Sequence, residues 1–161
     1  MLQKQDVYNL LYEHNIPFEI TDHAPLFSMD DKPNVELLSP DRDAKNLFIR
    51  DHKRENYYMI TVRGSKRVDL KTFRKDHQLK KISFASEEEL WDILKIQPGH
   101  VSPFCLLHDT EHKVHYFIDS DYKEGLIGIH PNKNDATVWL KGADLIFLLE
   151  EQGTTVEYIE I

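Results

Sequence analysis

Asp43-Ala44-Lys45-Asn46-Leu47-Phe48-Ile49-Arg50-Asp51 is the stretch on which the fold turns. Its apolar Leu-Phe-Ile run, closed by Arg-Asp, predicts a strand followed by a charged turn. A strand of this kind has no need of a lysine and an amide at its mouth. The ordinary account is that Lys45 lays its stem along the core and keeps its ammonium in water. The alternative is that Lys45 and Asn46 do chemistry.

Working outward, Tyr57-Tyr58-Met59-Ile60-Thr61-Val62 is rich in aromatic and β-branched residues and predicts the partner strand, joined through the charged turn 51–56. Upstream, Val7, Leu10, Leu11 and His14 stand at helical spacing, and Phe18-Glu19-Ile20-Thr21 alternates as a half-buried strand does. Residues 28–43 read as a proline-bearing loop with at most a short helix. Downstream, Val68-Asp69-Leu70 ends an extended piece and 71–77 forms a short basic helix. Ile82-Ser83-Phe84 is a strand, and Ser86 before three glutamates is a helix start for the apolar face Leu90, Trp91, Ile93 and Leu94. Segments 101–107, 114–118, 126–129, 137–140 and 156–159 are further strand candidates, with a hairpin turn at 108–112 and a helix over 143–152 stopped by Gly153. The predicted class is α+β: one domain over 1–161, with a mixed, mostly antiparallel central sheet flanked by helices.

The chain has 161 residues, 40% hydrophobic and 30% charged, enough for a sizeable core. No apolar run approaches the ~20 residues of a membrane-spanning helix and the N-terminus has no signal pattern, so a cytoplasmic protein with no membrane partner is expected. The single cysteine, Cys105, lies in an apolar run and reads as an inert buried thiol. The net charge of -8 argues against a general nucleic-acid binder, yet residues 42–81 hold 13 of the 20 lysines and arginines and 5 of the 28 acidic residues. That segment is a candidate footprint for a phosphate backbone, unless folding interleaves it with carboxylates.

His108, His112 and His115 come closest to metal-ligand spacing, but no cysteine pair or His-Glu-x-x-His pattern accompanies them, so no metal is expected. The six glycines are scattered singly and build neither a Walker loop nor a dinucleotide fingerprint. The second informative cluster is 125–137, where a strand ends in His130-Pro131 and an Asn-rich loop follows. It sets an imidazole, amides and backbone N–H groups at a sheet rim, as recognition of a small polar ligand requires. A turn using Pro and Asn for geometry alone has the same composition.

Lys45-Asn46-Leu47-Phe48-Ile49-Arg50-Asp51, Val68-Asp69-Leu70, Ile82 to Ser86, Pro98-Gly99-His100-Val101-Ser102-Pro103-Phe104 and His130 to Thr137 together resemble, in order and over nearly the whole chain, the YbaK/prolyl-tRNA synthetase-associated domain family. Within it they are most similar to the freestanding alanyl-tRNA(Pro) deacylases. The resemblance implies hydrolysis of the ester joining a mischarged alanine to the terminal adenosine of tRNA(Pro), with no cofactor. Lys45 and Asn46 are then the catalytic pair. Gly128, His130, Pro131, Ser102 and Lys81 are the substrate-binding set, and Arg50, Arg63, Lys66 and Arg67 the tRNA contacts. The implied partner is the aminoacylated acceptor end, with transient association with a synthetase. A relative preferring cysteinyl-tRNA(Pro), and a silent module that binds aminoacyl-tRNA or a synthetase, are the alternatives. The general base is left open.

Overall fold

The computed structural model describes residues 2–26 and 34–161. The expected loop at 28–43 lies partly outside them; its described part ends in a 3-10 turn at Pro40–Arg42, with proline at the first helical position, where a missing N–H costs nothing. The strands are β1 (Phe18–Asp22), β2 (Ala44–Asp51), β3 (Tyr57–Arg63), β4 (Ile82–Phe84), β5 (Val114–Asp119), β6 (Leu126–Ile129), β7 (Ala136–Lys141) and β8 (Thr155–Ile159). The helices are α1 (Lys4–Glu13), α2 (Leu70–Asp76), α3 (Glu87–Glu89) and α4 (Gly142–Glu151).

The α+β class is as expected. The strands divide between two sheets: β1-β7-β6, all antiparallel, and β4-β2-β3-β5-β8. In the second, β2 pairs antiparallel with β3 and β4, whereas β5 runs parallel to both β3 and β8. The predicted β2–β3 hairpin is present, and its register sets Lys45 opposite Val62 and Asn46 opposite Thr61.

Alternation along the five-stranded sheet sorts its side chains between two cores. Ala44, Phe48, Met59, Tyr116 and Ile118 enter the larger one, which also takes Val7 and Leu11 of α1, Val138 and Leu140 of β7, and Leu145, Leu148 and Leu149 of α4. Ile49, Tyr58, Ile60, Val62 and Phe117 face the other way and are closed by Phe73 of α2.

Two local expectations are corrected. Residues 101–107 are not a strand but enter a 3-10 helix at Pro103–His108. Ser102 Oγ accepts from the Phe104 N–H at 3.1 Å, Pro103 takes the first helical position, and Pro103 to Leu106 are buried, so the run shows no period to tell strand from helix. The 108–112 turn accordingly closes no hairpin: Asp109 accepts from the N–H groups of Lys113 and Val114 at 2.9 and 2.8 Å and launches β5 into its parallel pairing. Asp69 is extended, as expected at the end of its piece, and caps α2, its carboxylate accepting from Lys71 N, Thr72 N and the Thr72 hydroxyl. The Ser86 start forms a full capping box with Glu89, after which the helix continues through Leu94 as a π-type turn and ends at Lys95 with a φ of 54°.

Candidate active site

β2 and β6 belong to different sheets, yet an isolated parallel bridge joins Asp43 to Gly128. Lys45 and His130 each lie two residues beyond that bridge, on strands leaving it in the same direction. Their backbones thereby start from one junction. Arg42, the residue before the bridge, fastens the same junction: its Nε donates to Leu126 O, 84 positions away in the chain, at 2.8 Å.

Near this junction Lys45 is half-buried and its Nζ donates to the backbone carbonyl of Lys66 at 2.6 Å. That carbonyl belongs to a braced turn. Gly64 N donates to Asp43 O at 2.8 Å, and Lys66 Nζ lies 2.8 Å from both Asp119 and Asp121, the former fully buried. Lys45 Nζ thus sits beside a neutral acceptor and, among the described residues, in no ion pair. Asn46 projects to the opposite face. Its Oδ1 accepts from Thr61 Oγ at 2.5 Å, Thr61 Oγ in turn accepts from Tyr116 OH at 2.8 Å, and Asn46 Nδ2 lies 3.5 Å from Val101 O. Thr61 and Tyr116 are fully buried, so Asn46 closes an internal polar chain.

His130 follows β6. Its Nδ1 lies 3.0 Å from Ala136 O, and because a carbonyl only accepts, Nδ1 carries the proton and Nε2 presents a lone pair. Burial, with His23 and His100 nearby, holds its imidazole below the usual range, so it is neutral at pH 7. His23 stands 6.2 Å away, ring to ring, and His100 Nδ1 accepts from Asn134 N at 3.2 Å. The loop between His130 and Ala136 is stitched to the segment after β1: His23 N donates to Asp135 O, Leu26 N to Asn134 O and Asn134 Nδ2 to Leu26 O, at 2.8 to 3.0 Å. Pro131 is buried in this loop, and Asn132 accepts from Cys105 Sγ at 3.2 Å. Cys105 is fully buried and its thiol is pushed up to about 12 by desolvation, so it is no nucleophile.

Gly128 is a packing requirement as well as a bridge. A Cβ there would run into the six-membered ring of Trp139, which is 1% exposed. Sequence reasoning passed over Asp43. It adjoins the bridge, and burial pushes its carboxyl up to about 6 against the Ala44 N–H that lowers it. It also passed over His23 and His100, each set close to a proline in the sequence, which marks loops rather than ligands.

Other predicted residues are not brought to this junction. Ser102 is fully buried and spent on the Phe104 N–H. Lys81 precedes β4, whose Ile82 pairs with Asp51, six residues along β2 from Lys45 and so about 20 Å away. Arg50 is closed on Glu89, its Nε 3.0 and 3.1 Å from the two carboxylate oxygens, with the two side chains 13% and 10% exposed. Arg63 is held by Asp41 and Asp121, and Lys66 by Asp119 and Asp121. Arg67 alone of the predicted tRNA contacts is exposed beside the Lys45 turn. The three histidines nearest to ligand spacing diverge. His108 Nε2 accepts from Leu2 N at 2.9 Å, the His112 ring abuts Gly153, and His115 Nε2 lies 3.6 Å from Glu157.

An ammonium, a neutral imidazole acceptor and a partly buried carboxyl around one junction suit a small ligand carrying both a polar carbonyl and an amine. The Aminoacyl-tRNA editing domain profile matches residues 23–148. The prolyl-tRNA editing protein ProX of Acetoanaerobium sticklandii is 33% identical over 159 residues, covering 98% of this chain and 97% of that protein. The mouse prolyl-tRNA synthetase associated domain-containing protein 1 is 28% identical over 84% of this chain and 82% of its own. The crystal structure of a candidate trans-editing enzyme for prolyl tRNA synthetase superposes with a TM-score of 0.69 at 15% identity, covering 100% of this chain and 99% of that one, and shows the same fold.

Proposed function

The chain belongs to the aminoacyl-tRNA editing domain family, and from that premise we propose that it is a freestanding deacylase that hydrolyses alanyl-tRNA(Pro) to alanine and tRNA(Pro). The observation that supports this reading is the Asp43–Gly128 bridge, from which Lys45 and His130 each lie two residues along the chain.

An aminoacyl ester is already activated, so its hydrolysis needs a placed ester, an admitted water and stabilisation of the developing oxyanion rather than a covalent nucleophile. Water adds to the ester carbonyl carbon, the C–O bond to the terminal ribose breaks, and the ribose oxygen leaves with a proton. Lys45 faces the charge that grows on the carbonyl oxygen or the adjoining phosphate. The substrate's amino group carries the opposite demand: the Nε2 lone pair of His130 and the carboxylate of Asp43 complement an ammonium, whereas a second cation would repel it. Pro131 and the braced 131–135 loop limit the room for a side chain. A hydrophobic pocket separates substrates differing by one methylene by only ~1–3 kcal/mol, so a sieve that admits alanine and excludes proline works by closing space rather than by adding contacts.

The test is a single-turnover assay of purified protein on alanyl-, cysteinyl- and prolyl-tRNA(Pro) side by side. Rapid release of alanine with prolyl-tRNA(Pro) left intact is the expected result. Faster hydrolysis of the cysteinyl ester would move the assignment to cysteine, and no hydrolysis of any of the three would leave a binding module.

A further inference from the structure

Folding divides the basic segment 42–81 into two populations. Near Lys45 most of its cations are engaged: Arg63 and Lys66 pair with Asp41, Asp119 and Asp121, and Arg42 donates to the carbonyls of Asp121, Glu124 and Leu126, with its guanidinium 5.0 Å from the Tyr122 ring centre, while Arg67 stays exposed. At the other end of the same sheet, Lys53 and Arg54 of the β2–β3 turn and Arg74 and Lys75 of α2 are exposed, and among the described residues none of the four stands in an ion pair. The sequence runs its positive charge evenly from 42 to 81, but the fold engages Arg42, Arg50, Arg63 and Lys66 and leaves Lys53, Arg54, Arg74 and Lys75 free.

Shortly after each pair in the chain, Asn56 to Tyr58 and His77 with Leu79 line a cavity of about 330 Å³. Its walls are aromatic and its rim is polar. His115 stacks on Phe117 at 4.4 Å with an interplanar angle of 17°, and His77 reaches the same ring at 4.8 Å. Tyr58 lies 6.1 Å from Phe117, while Asn56, Lys113 and the Glu157 carboxylate complete the mouth, with Asn56 Nδ2 donating to Asp51 and Lys113 paired with Glu111. Imidazole and phenyl faces beside an amide, flanked by unpaired cations, have the chemistry by which proteins hold an unstacked base and its neighbouring phosphates. The cavity opens at Tyr57 and Tyr58, whereas Lys45 pairs with Val62, so the two sites are about 15 Å apart along one strand.

We propose that the cavity lined by Tyr58, His77, His115 and Phe117, with the cations Lys53, Arg54, Arg74 and Lys75 around it, is a second RNA-binding site that holds an unpaired nucleotide and adjacent phosphates of the substrate tRNA, away from the hydrolytic rim. The inference rests on the deacylase reading for the identity of the RNA. On a body of net charge -8, this group of four exposed cations also orients the approach, because the acidic remainder repels the phosphate backbone.

The test uses the full chain and fluorescence-labelled tRNA(Pro) transcript. The double variants Lys53→Gln/Arg54→Gln and Arg74→Gln/Lys75→Gln, all at exposed positions, should each weaken tRNA binding by an order of magnitude or more at ~0.1 M salt and lower the log–log salt slope by about 2. Deacylation of a short aminoacylated oligonucleotide, too small to span both sites, should be unchanged in both variants, whereas Lys45→Ala should abolish it. An abasic scan of the acceptor strand should find one nucleotide whose base contributes to binding by the wild type and contributes nothing to His115→Ala; Asn56→Ala gives the same readout should His115→Ala unfold. Wild-type affinity and salt slope in both double variants, or no base-sensitive position, overturns the inference. If the wild type hydrolyses neither substrate, the deacylase reading fails while the tRNA-binding arm still decides the surface.

Discussion

Lys45 and Asn46 are adjacent in the chain and back to back in the fold: the Lys45 ammonium donates to Lys66 O at 2.6 Å on one face of β2, and Asn46 joins Thr61 and Tyr116 on the other. A strand's period of two makes this unavoidable. The pair that reads as one catalytic unit in sequence is therefore split between the two faces of β2.

Lys45→Ala should reduce deacylation of alanyl-tRNA(Pro) by at least about two orders of magnitude, the scale on which removal of a single oxyanion-stabilising group is felt. Its denaturation midpoint should stay close to wild type, since its one bond is to a half-exposed turn. Wild-type-like turnover would remove Lys45 from the mechanism.

Asn46→Ala should do the reverse. It strands the Thr61 hydroxyl in a buried site and should cost ~1–3 kcal/mol in urea unfolding, with the larger loss in stability rather than in the chemical step. A stable Asn46→Ala protein with abolished catalysis would return Asn46 to the active site.

Glu89 ties the Ser86 helix start to β2. Burial raises its pKa, and the Ser86 N–H with the Arg50 guanidinium overcome that and hold the carboxyl down to about 2. A depressed carboxyl contributes stability above its usual value of 4.5, and the contribution is lost as pH falls through that value toward 2. Glu89→Gln, which leaves Arg50 buried without its partner charge, should lose ~3–5 kcal/mol at pH 7 and flatten the acid limb of the stability profile.

Asp43 has the opposite sign. Its carboxyl, raised to about 6, favours the protonated folded state, so its contribution is present below its usual 3.8 and is lost as pH rises through about 6. Asp43→Asn should be more stable than wild type by roughly 1–2 kcal/mol at pH 7, with the difference vanishing toward pH 4. The same variant should lose an acid limb near pH 6 in the deacylation profile, which a purely structural carboxyl would not supply.

Gly128→Ala should destabilise by ~1–3 kcal/mol, because its methyl group must displace the Trp139 ring. The near-ultraviolet circular dichroism of Trp139, whose Nε1 donates to Thr21 Oγ at 3.0 Å, should change with it, and an unchanged spectrum would contradict the packing account.

Much of the fold was legible because its signals are local. The alternating and β-branched runs of β1, β2, β3, β5 and β7, the capping box at Ser86 and the glycine after α4 each specify their element from within a few residues. The 103–108 run failed for the same reason in reverse: with every residue from Pro103 to Leu106 buried, no period remained to read. At the site, His130-Pro131 and Lys45 were visible as unusual residues at strand ends. Asp43, His23 and His100 were not, since a carboxylate in a loop and a histidine close to a proline are ordinary until something folds over them.

By itself the sequence determined the α+β class, the β2–β3 hairpin and a basic middle in an acidic chain, all consequences of side-chain period and composition. Tertiary structure alone decided that β2 and β6 meet at Asp43 and Gly128, that Lys45 and Asn46 part company, and that Arg42, Arg50, Arg63 and Lys66 are consumed while the cations around the far cavity stay free. The reason is range: a period or a cap is felt over a few residues, whereas which carboxylate meets which cation is set by pairings between segments tens of residues apart, and those exist only once the sheets have formed.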